Sequence, residues 1–278
     1  MKIIDIDALF DKYISDYVYT SIGKVKPEQI ENKIPELYVS FGDTKLKDLD
    51  GKTPNEYYRS FGGEKLVSCL KEHLQKGVPV SDFLCEALTE NSENESVLLE
   101  SISSDEDEEF TVYVMNMLAD MGSKKVAKRY LEFVLWDYSA TIRELATESL
   151  CSMADTVKEE ILTQFSEVDD VKKACLTEIL SNAGKDDRIF ELLINEFLRN
   201  ATQIPLYANY LARYGDERAL PFLLTVIENE KISYADFEEL RFAIEALGGE
   251  YAKNRDFSLD KTYKKIKGIK EEKTKEQS

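Results

Sequence analysis

A helical pattern that recurs about every 30–34 residues between positions 105 and 250 constrains the fold of this chain most strongly. The clearest unit, residues 211–227, reads LARYGDERALPFLLTVI: a helix end, a Gly turn, a polar start and then an apolar helix face. Segments 118–134 and 180–194 keep this order, and 150–162 follows it with Ala in place of the Gly. Such a period indicates stacked two-helix units, none of which can bury its apolar face alone.

Helix-capping residues and glycines divide the repeated region into pairs of helices. The first helices are predicted at about 106–121, 139–153, 169–183, 203–214 and 233–248, and the second helices at about 123–136, 155–166, 186–199 and 216–230. Ser or Asp stands where each N-cap is expected, at Ser139, Asp155, Asp169, Asp216 and Ser233. Helices are expected to stop at Gly122, Gly184, Gly215 and Gly248.

The chain before the repeats is predicted to be helical as well. Apolar residues at 3–4 spacing indicate an amphipathic helix over residues 3–19. The segment Thr53-Pro54-Asn55-Glu56 combines an N-cap hydroxyl, a Pro at the first helical position and a Glu at the third, which is a capping box. We therefore expect three parts: an N-terminal helical segment at 1–62, helical repeats at 63–250 and a basic, partly flexible tail at 251–278.

The charge of the chain limits its partners. A formal net charge of −18 repels nucleic acid phosphates and anionic lipid surfaces, so the composition argues against nucleic acid and favours a partner with a basic patch. The longest apolar run, about 110–119, is far shorter than a membrane span, and carboxylates interrupt the first residues where a signal peptide needs an apolar core. We expect a cytoplasmic protein without a membrane segment, and the sequence does not indicate its oligomeric state.

Few residues are available for catalysis or metal binding. The only histidine, His73, falls near a helix end, where an exposed or capping side chain is expected. Four cysteines lie far apart with no CxxC pair, so they are expected to be reduced and mostly buried. The sequence therefore predicts no catalytic residues, no cofactor and no metal site.

The repeats resemble a known family. Gly215-Asp-Glu-Arg-Ala-Leu-Pro-Phe-Leu223 resembles the inter-helix turn and second helix of HEAT-type repeats, including the short variety seen in lyase-like HEAT proteins. The resemblance extends over about residues 105–250 and implies an all-α fold, a right-handed α-α superhelix whose second helices line a concave face. It implies no activity, because the repeat is a scaffold.

The lone tryptophan suggests where such a scaffold would bind. If second helices line the inner surface, one groove would collect Arg129, Trp136, Arg188, Glu191 and Arg218, with Asp137 and Arg143 beside it. Aromatic residues combined with Arg are typical anchors of protein interfaces. Alternatively, Trp136 packs between repeats and the basic residues offset nearby acidic ones. The hypothesis is a non-enzymatic protein-binding scaffold whose concave face recognises a protein or peptide.

An enzyme or nucleic-acid binder is the competing hypothesis. Some HEAT-like proteins resemble DNA-alkylation-repair glycosylases, which use aromatic residues and an Asp in a basic concavity. Trp136 and Asp137 supply both residue types once, whereas the strongly acidic body argues against DNA as the ligand.

Overall fold

The protein is all-α throughout the part of the chain that the structure describes. The computed structural model describes residues 2–21, 30–103, 106–136 and 138–268, and within these ranges helices and turns account for the regular structure, with no β-strand. The predicted helical fold class is confirmed at this level. The chain divides into two compact units, Met1–Val126 and Ala127–Ser278, called here the N-terminal and C-terminal units.

Seven α-helices are described in the N-terminal unit. They are α1 (Ile6–Ser21), α2 (Ile34–Gly42), α3 (Pro54–Arg59), α4 (Gly63–Lys76), α5 (Asp82–Thr89), α6 (Asn94–Ser101) and α7 (Glu108–Asp120). An aromatic cluster packs α1, α2 and α5 together: the Tyr38 ring lies 4.9 Å from that of Phe10 and stacks on that of Phe83 at 5.2 Å. The capping box predicted at α3 is confirmed, because the Thr53 hydroxyl accepts from the Glu56 N–H and the Glu56 carboxylate accepts from the Thr53 N–H, both at 3.2 Å.

The C-terminal unit continues the alternation of helices predicted from the repeats. Its described helices are α8 (Ala127–Leu135), α9 (Ala140–Cys151), α10 (Ala154–Gln164), α11 (Asp170–Leu180), α12 (Asp187–Arg199), α13 (Ile204–Tyr214), α14 (Leu220–Ile227), α15 (Tyr234–Ala246) and α16 (Lys261–Ile266). Short 3₁₀ turns at Phe165–Glu167 and Glu217–Ala219 follow α10 and precede α14. First helices pack on one another, α9 on α11 and α13 on α15, and each also packs on a second helix beside it.

Hydrogen bonds join residues about 30 positions apart, which is close to the period of the sequence. The Asp155 carboxylate of α10 accepts a hydrogen bond from the Gly184 N–H at 3.1 Å. One period later, the Tyr214 hydroxyl at the end of α13 accepts from the Asp186 N–H at 2.7 Å and donates to the Asp186 carbonyl at 3.0 Å. The turn between α11 and α12 is thus bonded to both the preceding and the following pair, as expected when no pair is complete alone.

The same contact explains why one predicted cap is wrong. Asp155 was expected to cap a second helix beginning at 155, but α10 begins at Ala154 with Met153 at the N-cap position. The carboxylate of Asp155 is instead bonded to the Gly184 N–H and to the Lys158 ammonium, at 2.8 Å. Ser139, Asp169 and Ser233 do cap their helices, as predicted, and Asp216 caps the 3₁₀ turn that leads into α14.

A matched pair of substitutions in α11 tests the assigned core. Leu176 is completely buried whereas Val171, on the same helix, is 60% exposed. Leu176→Ala should lower the free energy of unfolding by about 2–5 kcal/mol, because it removes buried methyl groups and leaves a cavity. Val171→Ala should change it by less than about 0.5 kcal/mol. Urea unfolding followed by circular dichroism measures both, and equal effects would contradict this packing of α11.

Candidate partner-binding surface

Arg188, one of the predicted binding residues, is held by carboxylates of its own unit. Asp186 precedes α12 and its carboxylate accepts from the Arg188 N–H at 2.9 Å and from Nε at 3.0 Å. The two Nη atoms of Arg188 reach Glu159 on α10, at 2.9 and 2.6 Å. The guanidinium therefore bridges a helix cap to the helix of the preceding pair, and its planar fork suits this two-sided arrangement.

Arg218 repeats this arrangement one period later. Its N–H and Nε donate to the Asp216 carboxylate at 3.0 Å, and Nη1 donates to Asp187 on α12 at 2.8 Å. Its guanidinium also lies over the Phe190 ring, 4.3 Å from the centroid. We call the two sets together, Glu159, Asp186, Asp187, Arg188, Asp216 and Arg218, the charge ladder.

Both arginines of the charge ladder are neutralised by its carboxylates. Hydrogen bonds from Arg188 lower the pKa of Asp186 from 3.8 to about 2, and those from Arg218 lower the pKa of Asp216. The pKa values of both arginines are raised, first by their bonds to Asp186 and Asp216. An anionic partner would have to displace these carboxylates before it could bind either guanidinium.

Trp136, in contrast, lies open to solvent. It follows the last residue of α8, its N–H donates to the Glu132 carbonyl at 2.9 Å, and the residue is 66% exposed. The interpretation in which Trp136 packs between repeats is therefore wrong for the described structure. Arg129, in the first turn of α8, pairs with Glu132 at 2.6 Å and lies over the Phe133 ring at 5.3 Å. Asp137 lies outside the described residues.

Helix position divides the predicted binding residues into two groups. Arg129, Arg188, Glu191 and Arg218 belong to the starts or early turns of second helices, and Glu191 is exposed on α12 next to Phe190. Trp136 stands at the end of a second helix. Arg143 lies in the following helix α9, where it donates to the Tyr138 carbonyl at 3.4 Å. The two groups thus mark opposite ends of the helices rather than one continuous stripe along them.

Sequence reasoning missed a cleft at the end of another second helix, which is lined by both apolar and polar side chains. Leu198 occupies the end of α12, two periods after Trp136, and is 49% exposed. It borders a cleft of about 390 Å³ whose lining includes Phe197, Ile204, Val226 and Ile232. These residues come from separate elements, so no local motif indicates the cleft. The one signal in the sequence is that an apolar residue recurs at the end of a second helix, Trp136 and then Leu198.

Of the side chains considered for catalysis, His73 has a buried Nε2 atom without a hydrogen-bond partner among the described residues. His73 is fully buried rather than exposed, and its Nδ1 donates to the Pro79 carbonyl at 2.8 Å, which holds the turn after α4. The cysteines are free thiols, and burial raises the pKa of Cys69, Cys85 and Cys151 to about 11. Among the described residues, no group of three or more His, Cys, Asp or Glu side chains is arranged to hold a metal ion. The described helices include none long and apolar enough to cross a membrane.

Acid should weaken the charge ladder over a defined pH range. The folded state lowers the pKa of Asp186 to about 2, so its stabilising contribution is present above the ordinary value of 3.8 and is lost as the pH falls towards 2. Asp186→Asn should therefore lower the melting temperature near neutral pH, and the difference from the wild type should shrink between about pH 4 and pH 2. Calorimetry across the range in which both chains stay folded measures this.

A second variant isolates the cause of the shift. The side chain of Arg188 makes the largest contribution to the low pKa of Asp186. In an Arg188→Ala background, the effect of Asp186→Asn should therefore be smaller and less dependent on pH. An unchanged, pH-independent effect in both backgrounds would show that the ladder does not act through the Asp186 charge.

Comparison with known proteins does not assign the chain to a family. No protein-family model matches the chain, and a search of curated proteins returns no significant match.

Proposed function

We propose that the chain is a non-enzymatic protein-binding scaffold, built from HEAT-like helix pairs that form a right-handed solenoid and working in the cytoplasm. The helical fold, the period of about 30 residues and the bonds between equivalent turns of neighbouring pairs support this proposal. Stacked pairs of this kind present extended surfaces, which is how repeat proteins commonly hold their ligands.

The observation that carries the proposal is the exposure of Trp136. A tryptophan is costly to leave in water and is among the residues that contribute most to protein interfaces, so a 66% exposed Trp at the end of α8 is a natural anchor. Arg143 lies at the start of α9, the helix that follows Trp136, and Leu198 lies, like Trp136, at the end of a second helix. The partner is a protein or peptide with apolar anchors and a basic patch, because the chain carries a net charge of −18.

The ion pairing within the C-terminal unit favours this function over nucleic-acid binding. Arg129, Arg188 and Arg218 each bind a carboxylate of the same unit. To bind nucleic acid, a protein must offer Lys or Arg side chains that replace the counterions of the phosphate backbone. These three arginines are already paired with carboxylates of the same unit. The glycosylase alternative centred on Trp136 and Asp137 gains no supporting contact from these arginines.

Substitution of Trp136 tests the proposed surface. Partners captured by the full chain are identified by mass spectrometry, and the affinity of the main partner is then measured by calorimetry. Trp136→Ala should weaken binding by at least about tenfold, since loss of an interface anchor costs more than about 1.4 kcal/mol. Phe242→Ala is the matched control, because Phe242 is 62% exposed on α15, away from these helix ends. Equal affinities for wild type and Trp136→Ala would contradict the proposed anchor.

A further inference from the structure

A segment of the C-terminal unit without regular secondary structure places basic side chains against the end of α14. Residues 250–260, called here the strap, join α15 to α16. Lys253 Nζ pairs with the Glu228 carboxylate at 2.6 Å. Arg255 donates from Nη1 to the Asn229 carbonyl at 2.8 Å and from Nη2 to the Ile227 carbonyl at 2.7 Å. The sequence predicted only a loose tail from residue 251, so these contacts were not expected.

Arg255 lies where carbonyl oxygens and an aromatic ring can both contact a guanidinium. The last carbonyls of a helix have no intrahelical donors, and their dipoles favour a cation. Arg255 donates to the Ile227 carbonyl at the end of α14 and to the Asn229 carbonyl just beyond it, which also accepts from the Ile232 N–H at 3.3 Å. The Cζ atom of Arg255 lies 5.1 Å from the Phe237 ring centroid. A lysine ammonium could not reproduce both the paired donors and the planar contact.

Aromatic contacts and one carboxylate complete the attachment of the strap. Tyr251 meets Phe237 edge-on at 5.8 Å, and Phe257 lies 5.0 Å from Phe237 and 5.3 Å from Tyr234. The Asp260 carboxylate accepts from the N–H of Tyr234, the first residue of α15, at 3.1 Å. These bonds join residues 25–28 positions apart, close to the offsets between neighbouring helix pairs. The strap therefore covers the surface on which a further pair would stack.

Within the Lys-Asn-Arg portion of the strap, Lys253 and Asn254 are exposed, whereas Arg255 is half-buried. Lys253 and Glu228 have side chains that are 70% and 48% exposed, and exposed ion pairs add little to stability. An open polar cavity of about 480 Å³ lies between the strap and the end of α14, and it is lined mostly by strap residues together with Glu228 and Glu230. A tethered segment fills even a weak site, because its effective concentration is about millimolar. This portion can therefore exchange with a competing segment that binds more tightly.

We propose that the strap is a built-in occupant of a peptide-binding site, and that a partner segment with the same Lys-X-Arg pattern in extended conformation displaces Lys253-Asn254-Arg255. Glu228 takes the lysine, and the carbonyls of Ile227 and Asn229 with the ring of Phe237 take the arginine. The charge of the observed occupant specifies the charge of the partner. This inference rests on the proposed function, because it identifies the positively charged segment of the bound protein. It adds that the strap blocks the site until that segment displaces it.

A labelled peptide with the sequence of residues 250–260 is the probe. It is titrated by fluorescence anisotropy into the full-length wild-type chain and into a Lys253→Ala, Arg255→Ala double variant. The peptide should bind the double variant at least about tenfold more tightly, because the tethered competitor is weakened. A peptide carrying Lys253→Glu and Arg255→Glu should not bind either protein. Failure of the native peptide to bind a double variant that circular dichroism shows to be folded would overturn the proposal.

A charge exchange separates a specific site from general loosening of the protein. Glu228→Lys, added to the double variant, should reduce binding of the native peptide and restore binding of a peptide that carries Lys253→Glu alone. A variant that is merely destabilised would not recover in this way. If the exchanged pair fails to recover while the native pair binds, Glu228 does not receive the lysine and the assigned site is wrong.

The outcome is independent of the Trp136 experiment. The peptide assay needs no cellular partner, so it can succeed when Trp136→Ala leaves partner binding intact, and the proposed anchor alone then fails. If Trp136→Ala weakens partner binding but the peptide does not bind the double variant, the scaffold function stands and the self-inhibited site is wrong.

Discussion

The C-terminal unit depends on apolar faces that no helix pair can bury by itself. Ile161 on α10, Ile179 on α11 and Leu193 on α12 are almost completely inaccessible to solvent, although each lies on a helix whose other face is charged. Burial of this kind is favourable in proportion to the apolar area removed from water, so neighbouring pairs must stack in register. The bonds from Asp155 to Gly184 and from Tyr214 to Asp186 then follow, because stacking brings equivalent turns together.

The register of the stacked helix pairs also determines which side chains are available to a partner. At the starts of the second helices, Arg188 and Arg218 are neutralised by acids of their own and the preceding pair, so an acidic chain satisfies its own cations. At the ends of second helices the described side chains include exposed Trp136 and Leu198. Binding would therefore draw on apolar contact at one end of the helices, while charge at the other end maintains the stacking. Surface ion pairs contribute more to specific register than to net stability.

The strap extends the same principle to the end of the repeats. A stack of pairs leaves its last apolar face and last helix carbonyls without a neighbour, and repeat proteins need a cap there. Arg255 donates to the Ile227 carbonyl at the end of α14, and Phe257 packs against Phe237, but the attachment beside Glu228 remains exposed. The exposed pairing of Lys253 with Glu228 is the contact on which the proposed displacement of the strap rests.

The sequence by itself determined the helical class, most helix boundaries and the caps at Thr53, Ser139 and Ser233, because periodicity and capping act within about four residues along the chain. It misplaced the role of Asp155 and the burial of His73, since both depend on partners that local spacing does not reveal. Only the tertiary structure decided that Arg188 and Arg218 are engaged, that Trp136 is exposed and that Arg255 binds the end of α14. The bonds of Arg188 to Glu159, of Arg218 to Asp187 and of Arg255 to Ile227 join residues 28–31 positions apart, and only packing brings these groups together. The exposure of Trp136 likewise depends on how the surrounding helices pack.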